Sequence, residues 1–229
     1  MTFEPPASVG VKLLNLAWWA AKTMKAILLR ADRPSTRIAA EIVRGGGVVA
    51  YPTDTVYGLA CDPFNERAVA RLIEVKRRES KPIPVICATL ADAAGLVELN
   101  PRARALAREY WPGALTIVAP LKTDLPKLLN QGSGWLGVRV PNDKTALFLA
   151  ETSGGIITGT SANLSGMPSC ETAAEVSDSL GETIDAILDG GPRRGKESTV
   201  VKVRGEAIEV LRRGAVAFEP GITRERVLR

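Results

Sequence analysis

Four stretches of the chain carry residue types that could hold an anion or a small polar substrate. Pro52-Thr-Asp-Thr-Val-Tyr-Gly58 follows the apolar run Val48–Tyr51 and offers two hydroxyls that can both donate and accept. Ligands collect at strand ends of α/β sheets, although an ordinary polar turn would have the same composition. Lys76-Arg-Arg78-Glu-Ser-Lys81-Pro82 sets four cations within six residues at the end of a helical stretch. Cations suit a helix C-terminus, but four exceed what one helix end needs, and a phosphate site accounts for the excess. Thr158-Gly-Thr-Ser161-Ala-Asn163-Leu-Ser-Gly166 follows Ile156-Ile157. Its small residues would let backbone approach a ligand, and its hydroxyls and amide supply hydrogen bonds. Gly190-Gly-Pro-Arg-Arg-Gly195-Lys196-Glu197 matches G-x-x-x-x-G-K but has Glu197 where Ser or Thr would hold Mg2+. It also leads into a strand pattern, whereas a P-loop opens a helix, so a Walker ATPase is rejected. Its glycines and cations could still lie over a polyphosphate.

The chain has no histidine. That removes Ser-His-Asp and Cys-His nucleophile systems, histidine metal ligands and histidine bases together. Cys61, Cys87 and Cys170 form no CxxC pair, and their odd number and wide spacing suggest neither a disulfide framework nor a zinc site. The remaining means are cations, hydroxyls, backbone amides and a metal ion held mostly by the substrate. Lys and Arg outnumber Asp and Glu by 30 to 25. An excess of that size is compatible with nucleotide or RNA partners and also with a scattered, solvated surface.

The elements that must position these residues alternate. Strand patterns fall at Ile27–Leu29, Val48–Tyr51, Pro84–Ala88, Leu115–Ala119, Gly137–Val140, Ile156–Thr160, Ala186–Leu188, Thr199–Val203 and Ala207–Leu211. Helical patterns fall at 35–43, where Ser35 can cap, and at 66–77, 92–98, 101–110, 144–151 and 171–180. With 229 residues and 45% hydrophobic content, the chain suits one α/β domain: an open, twisted, mixed sheet with helices packed on it. A final antiparallel hairpin through Arg204-Gly205 makes a purely parallel sheet less suitable. The domain is expected over 24–218, with a tail at 219–229. Residues 1–23 carry an apolar run from Val9 to Ala21 too short to span a membrane, without the features of a secretory signal. Two readings of that extension stay open: an appended helix, or a stretch upstream of a true start at Met24.

Seven motifs occur in a characteristic order: PTDTVYGL (52–59), K-x-R with a following KP (76–82), WPGALT (111–116), VRVP (138–141), TSANLSG (160–166), ESTVV (197–201) and LRRG (211–214). In this order and spacing the sequence resembles the YrdC-like L-threonylcarbamoyladenylate synthases, over about residues 25–216, in their short single-domain form. The resemblance implies that threonine and bicarbonate give a carbamate whose oxygen attacks the α-phosphorus of ATP and expels pyrophosphate. A partner enzyme then passes the threonylcarbamoyl group to an adenosine of tRNA. It implies catalytic roles for Lys76, Arg78, Ser161 and Asn163, and threonine contacts from Thr55, Arg139 and Ser198. It implies nucleotide contacts from Arg78, Lys81, Gly159, Thr160, Ser161, Ser169 and Arg212. Mg2+ would arrive with ATP, with no dedicated protein metal site, and the location implied is cytoplasmic. A histidine that many relatives carry near threonine falls here at Ile86 or Cys87. Two rivals remain: an RNA-binding module of the same fold, and a transferase using carbamoyl phosphate.

Overall fold

Short polar side chains start the helices. Asp32 accepts from Ser35 N at 2.9 Å, so the first helix begins before Ser35, which lies inside it. Asn65, Asn100, Asp143 and Thr172 cap four later helices, and Thr89 with Asp92 forms a reciprocal capping box. The computed structural model describes residues 25–77 and 81–218. The extension 1–23, Arg78 and the tail 219–229 lie outside the described residues. In chain order the elements are β1 (Ile27–Arg30), α1 (Arg33–Arg44), β2 (Val49–Tyr51), β3 (Gly58–Ala60), α2 (Glu66–Val75), β4 (Val85–Cys87), α3 (Leu90–Leu96), α4 (Pro101–Tyr110) and β5 (Leu115–Pro120). There follow α5 (Lys127–Asn130), β6 (Trp135–Arg139), α6 (Lys144–Thr152), β7 (Ile156–Thr158), β8 (Thr160–Ser161), α7 (Ala173–Leu180), β9 (Ala186–Asp189), β10 (Thr199–Arg204) and β11 (Ala207–Arg212). No helix among the described residues is long and apolar enough to cross a membrane.

The mixed α/β class holds, but the strands divide between two sheets. One runs β1-β9-β2-β3-β8 and the other β11-β10-β5-β6-β4-β7, each mixing parallel and antiparallel pairs. The β10–β11 hairpin is antiparallel, as the turn residues indicate. β3 was not legible as a strand: all three of its residues are buried, so it shows no alternation. The core splits across the two faces of the first sheet. Val48, Ala50 and Leu59 pack towards α2 and α7, while Val49, Tyr51 and Ala60 pack towards α1 and α6.

Thr158 and Tyr51 help to join the sheets, Tyr51 donating from its hydroxyl to Thr158 O at 3.1 Å. Thr158, fully buried at the end of β7, donates from its hydroxyl to Leu59 O at 3.0 Å and accepts from Cys61 N at 2.9 Å. The chain then crosses at Gly159 from one sheet to the other, where a Cβ would lie 2.8 Å from Ile86 Cγ1. Only a residue without a side chain fits this approach. Thr158→Val keeps the shape but orphans Cys61 N. Chemical denaturation should show a loss of about 1–3 kcal/mol; an unchanged midpoint would show that the hydroxyl is not what joins the sheets.

Candidate active site

A cleft of about 110 Å³ opens at this junction, lined from both sheets by Tyr51, Thr55, Ile86, Thr116, Arg139, Gly159, Ser161, Ser198 and Arg212, among others. The loop after β2 supplies one wall. Thr53 Oγ1 donates to Val56 O at 2.6 Å and lies 2.9 Å from Thr55 Oγ1. A hydroxyl has one proton, so Thr55 must be the donor of that pair. Arg139 NH1 donates to Thr55 Oγ1 at 3.3 Å, Arg139 Nε donates to Gly113 O at 2.8 Å, and its NH2 pairs with Asp54. Burial pushes the guanidinium pKa down, and Asp54 opposes that shift. Asp54 thus holds Arg139 in place, with the Thr55 oxygen keeping a lone pair for a ligand.

The second wall is the loop after β8. Asn163 Nδ2 donates to Leu164 O at 2.9 Å and Met167 O at 2.6 Å, which turns Oδ1 towards Ser161 Oγ at 2.5 Å. Lys76 Nζ donates to Asn163 O at 2.9 Å, to Asn163 Oδ1 at 3.4 Å and to Ser161 O. Lys76 caps α2, and Arg77 next to it takes a left-handed φ of 47°, which ends the helix there. The lysine charge is therefore spent on carbonyls of the Ser161–Asn163 loop, and the serine hydroxyl is presented with its proton already directed.

The third wall precedes β10 and ends at β11. Ser198 Oγ lies 2.8 Å from Thr116 Oγ1 and accepts from Arg212 NH2 at 3.1 Å; Arg212 Nε donates to Ser198 O at 3.1 Å. Arg212 also pairs with Glu197, whose carboxylate accepts from Ser169 Oγ at 2.7 Å. Burial alone would raise the Glu197 pKa. The Ser169 bond and the charges of Arg212 and Lys76 outweigh it and hold the carboxyl below its ordinary 4.5. A depressed folded pKa stabilises the fold above the ordinary value, and the stabilisation is lost as pH falls through the folded one. An acid titration of melting temperature should therefore decline below pH 4.5 with a component that Glu197→Gln removes; identical acid limbs would contradict it.

Of the residues singled out in the sequence, Thr55, Arg139, Gly159, Thr160, Ser161, Ser198 and Arg212 line one cleft. Ser169 reaches it through Glu197, and Lys76 and Asn163 through Ser161. Lys81 is exposed and outside the cleft lining. Arg78 lies outside the described residues. Gly190–Glu197 runs from β9 to β10 without a helix, and a Cβ on Gly195 would lie 2.6 Å from Thr55 O, so this loop packs on the first wall. Ile86 lines the cleft, whereas Cys87 is turned into the core, where burial raises its thiol pKa far above neutrality. Thr116 and Glu197 were not picked out as site residues. Both sit inside recognised motifs, and Thr116 had one signal, a hydroxyl within an otherwise apolar strand. Among the described residues no group of three or more His, Cys, Asp or Glu side chains is placed to hold a metal.

Fold and cleft together define an α/β protein whose cleft gathers hydroxyls and pre-positioned arginines, an arrangement that can hold a polar, anionic small molecule. The chain belongs to the Sua5/YciO/YrdC family: that family's model, described as "Telomere recombination", matches residues 41–214. It is 37% identical over 193 residues to the threonylcarbamoyl-AMP synthase of Pyrococcus abyssi, covering 83% of this chain and 57% of that one. It is 39% identical over 163 residues to the Nitrosococcus oceani threonylcarbamoyl-AMP synthase, covering 69% and 88%. The crystal structure of P. abyssi Sua5 complexed with L-threonine superposes with a TM-score of 0.77 at 36% identity, covering 83% of this chain and 57% of that one. The chain thus spans little more than half the length of the Pyrococcus relative.

Proposed function

We propose that the chain is an L-threonylcarbamoyladenylate synthase, forming threonylcarbamoyl-AMP and pyrophosphate from L-threonine, bicarbonate and MgATP. The observation that carries this reading is the convergence, in one cleft, of Thr55, Arg139 and Ser198 with Gly159, Thr160, Ser161 and Arg212. In this mechanism Arg139 meets the threonine carboxylate with a planar fork held by Asp54, and the Thr55 oxygen accepts from the amino group. The carbamate oxygen, already anionic, attacks the α-phosphorus while the bond to the β-phosphate oxygen breaks and pyrophosphate leaves. Arg212 and the loop carried by Lys76 stabilise the charge, so positioning and electrostatics supply the rate. Mg2+ belongs to the substrate, coordinated by the phosphates with few protein ligands, the mode this ion favours. The product passes to a tRNA-modifying threonylcarbamoyl transferase in the cytoplasm. The test is pyrophosphate release from ATP: the reading requires dependence on both threonine and bicarbonate, and release without either would sink it.

Without histidine, no side chain has an unperturbed pKa between pH 5 and 8. Activity should rise towards alkaline pH as the threonine amino group becomes neutral. With bicarbonate saturating and rates corrected for neutral threonine, the profile should be flat from roughly pH 6.5 to 8.5, around the histidine reference value. A bell that survives the correction would implicate a protein group in the chemistry, and Cys87, with its raised pKa, is not one.

A second reading, direct RNA binding, draws on Trp135, whose ring lies 4.2 Å from Lys202 Nζ and 5.3 Å from Arg204 Cζ on the β6 and β10 strands. Loss of RNA affinity and of salt dependence in a Lys202→Ala, Arg204→Ala double variant would support it; an unaltered affinity would remove it.

A further inference from the structure

Glu197 brings a carboxylate into a cleft otherwise furnished with hydroxyls and arginines. It accepts from Ser169 Oγ and pairs with Arg212, so one acidic group engages two of the side chains assigned to ATP. Arg212 does not need it for placement, because Ser198 O and Oγ already hold Nε and NH2, each at 3.1 Å. Nor is the pair a buried structural one: the Arg212 side chain is 45% exposed and that of Glu197 34%. The carboxylate is thus a partly exposed negative charge beside Arg212, the arginine assigned to the phosphates. For a bare triphosphate it cancels the attraction of Arg212. For a triphosphate carrying a divalent cation it meets a partly neutralised ligand with a positive face.

We infer that Glu197 is a specificity-determining residue that makes the cleft discriminate Mg2+-bound from metal-free nucleoside triphosphate. The inference rests on the proposed use of ATP. It is tested by calorimetric binding of ATP to the full chain, with Mg2+ and with a chelator. Glu197→Gln should lower the ratio of the metal-free to the Mg2+ dissociation constant about tenfold, chiefly by tightening binding of bare ATP, as one nearby charge can do. Glu182→Gln, which removes an exposed carboxylate outside the cleft lining, should leave that ratio at the wild-type value. Equal ratios in wild type and Glu197→Gln would overturn the inference while leaving the proposed function standing. No binding of ATP to wild type in either form would overturn both. A measurement on wild type alone covers a Glu197→Gln chain that does not fold. Inorganic tripolyphosphate should raise the melting temperature with Mg2+ and not with chelator, Mg2+ alone giving the baseline; equal shifts would refute the assignment.

Discussion

Lys76→Met should cut pyrophosphate release about 30- to 1000-fold at saturating substrates, the cost of losing about 2–4 kcal/mol of transition-state stabilisation. From sequence, Lys76 reads as one of a cluster of phosphate-facing cations whose loss spares the fold. In the structure it is 2% exposed and its ammonium donates to Ser161 O and Asn163 O. Methionine fills a similar volume but leaves those carbonyls without that donor, so a stability loss of about 1–3 kcal/mol should accompany the rate loss. The Ser161 hydroxyl would then lose its fixed direction through Asn163. Thermal melts and initial rates measured together decide the matter. Near-wild-type turnover in a destabilised Lys76→Met would show that the loop does not need this cation for chemistry. Arg78, the other cation of the K-x-R motif, should show the rate loss as Arg78→Ala, for the same phosphate-facing reason given by the sequence.

Arg139→Lys should raise the threonine requirement about 10- to 100-fold and leave ATP affinity nearly unchanged, because a two-point carboxylate contact becomes a one-point contact. The structure adds a reason for the asymmetry. Arginine serves Gly113 O, Thr55 Oγ1 and Asp54 from three different nitrogens, and a lysine can replace only part of that set. Arg139→Met should be worse in kind as well as degree. It strands Asp54, whose side chain is 15% exposed, and breaking such a buried pair costs about 3–5 kcal/mol. Titrating both substrates separates the possibilities. An equal loss of ATP affinity in Arg139→Lys would make Arg139 a phosphate ligand, and unchanged stability in Arg139→Met would mean that Asp54 finds another partner.

Local chemistry was enough for much of this protein. Alternation and 3.6-residue periodicity placed α4 at Pro101–Tyr110, and polar caps mark helix starts because their oxygens satisfy the first free amides. The absence of histidine by itself limits the catalytic chemistry to cations, hydroxyls, backbone amides and a metal ion held mostly by the substrate. The motifs named the strand ends at which Thr55, Arg139, Ser161 and Ser198 stand.

Tertiary structure decided what depends on contacts far apart in the chain. The two sheets are held to one another in part by Thr158, which bonds to Leu59 and Cys61, 99 and 97 residues away. No local pattern distinguishes that threonine from any other strand residue. The same holds for the cations. Lys76 and Arg212 look alike in sequence as positive charges near a motif. One donates to backbone carbonyls 85 and 87 residues away, and the other stands in the cleft between Ser198 and Glu197. A charge belongs to a ligand or to the scaffold according to which acceptors surround it, and those acceptors are assembled only by the fold.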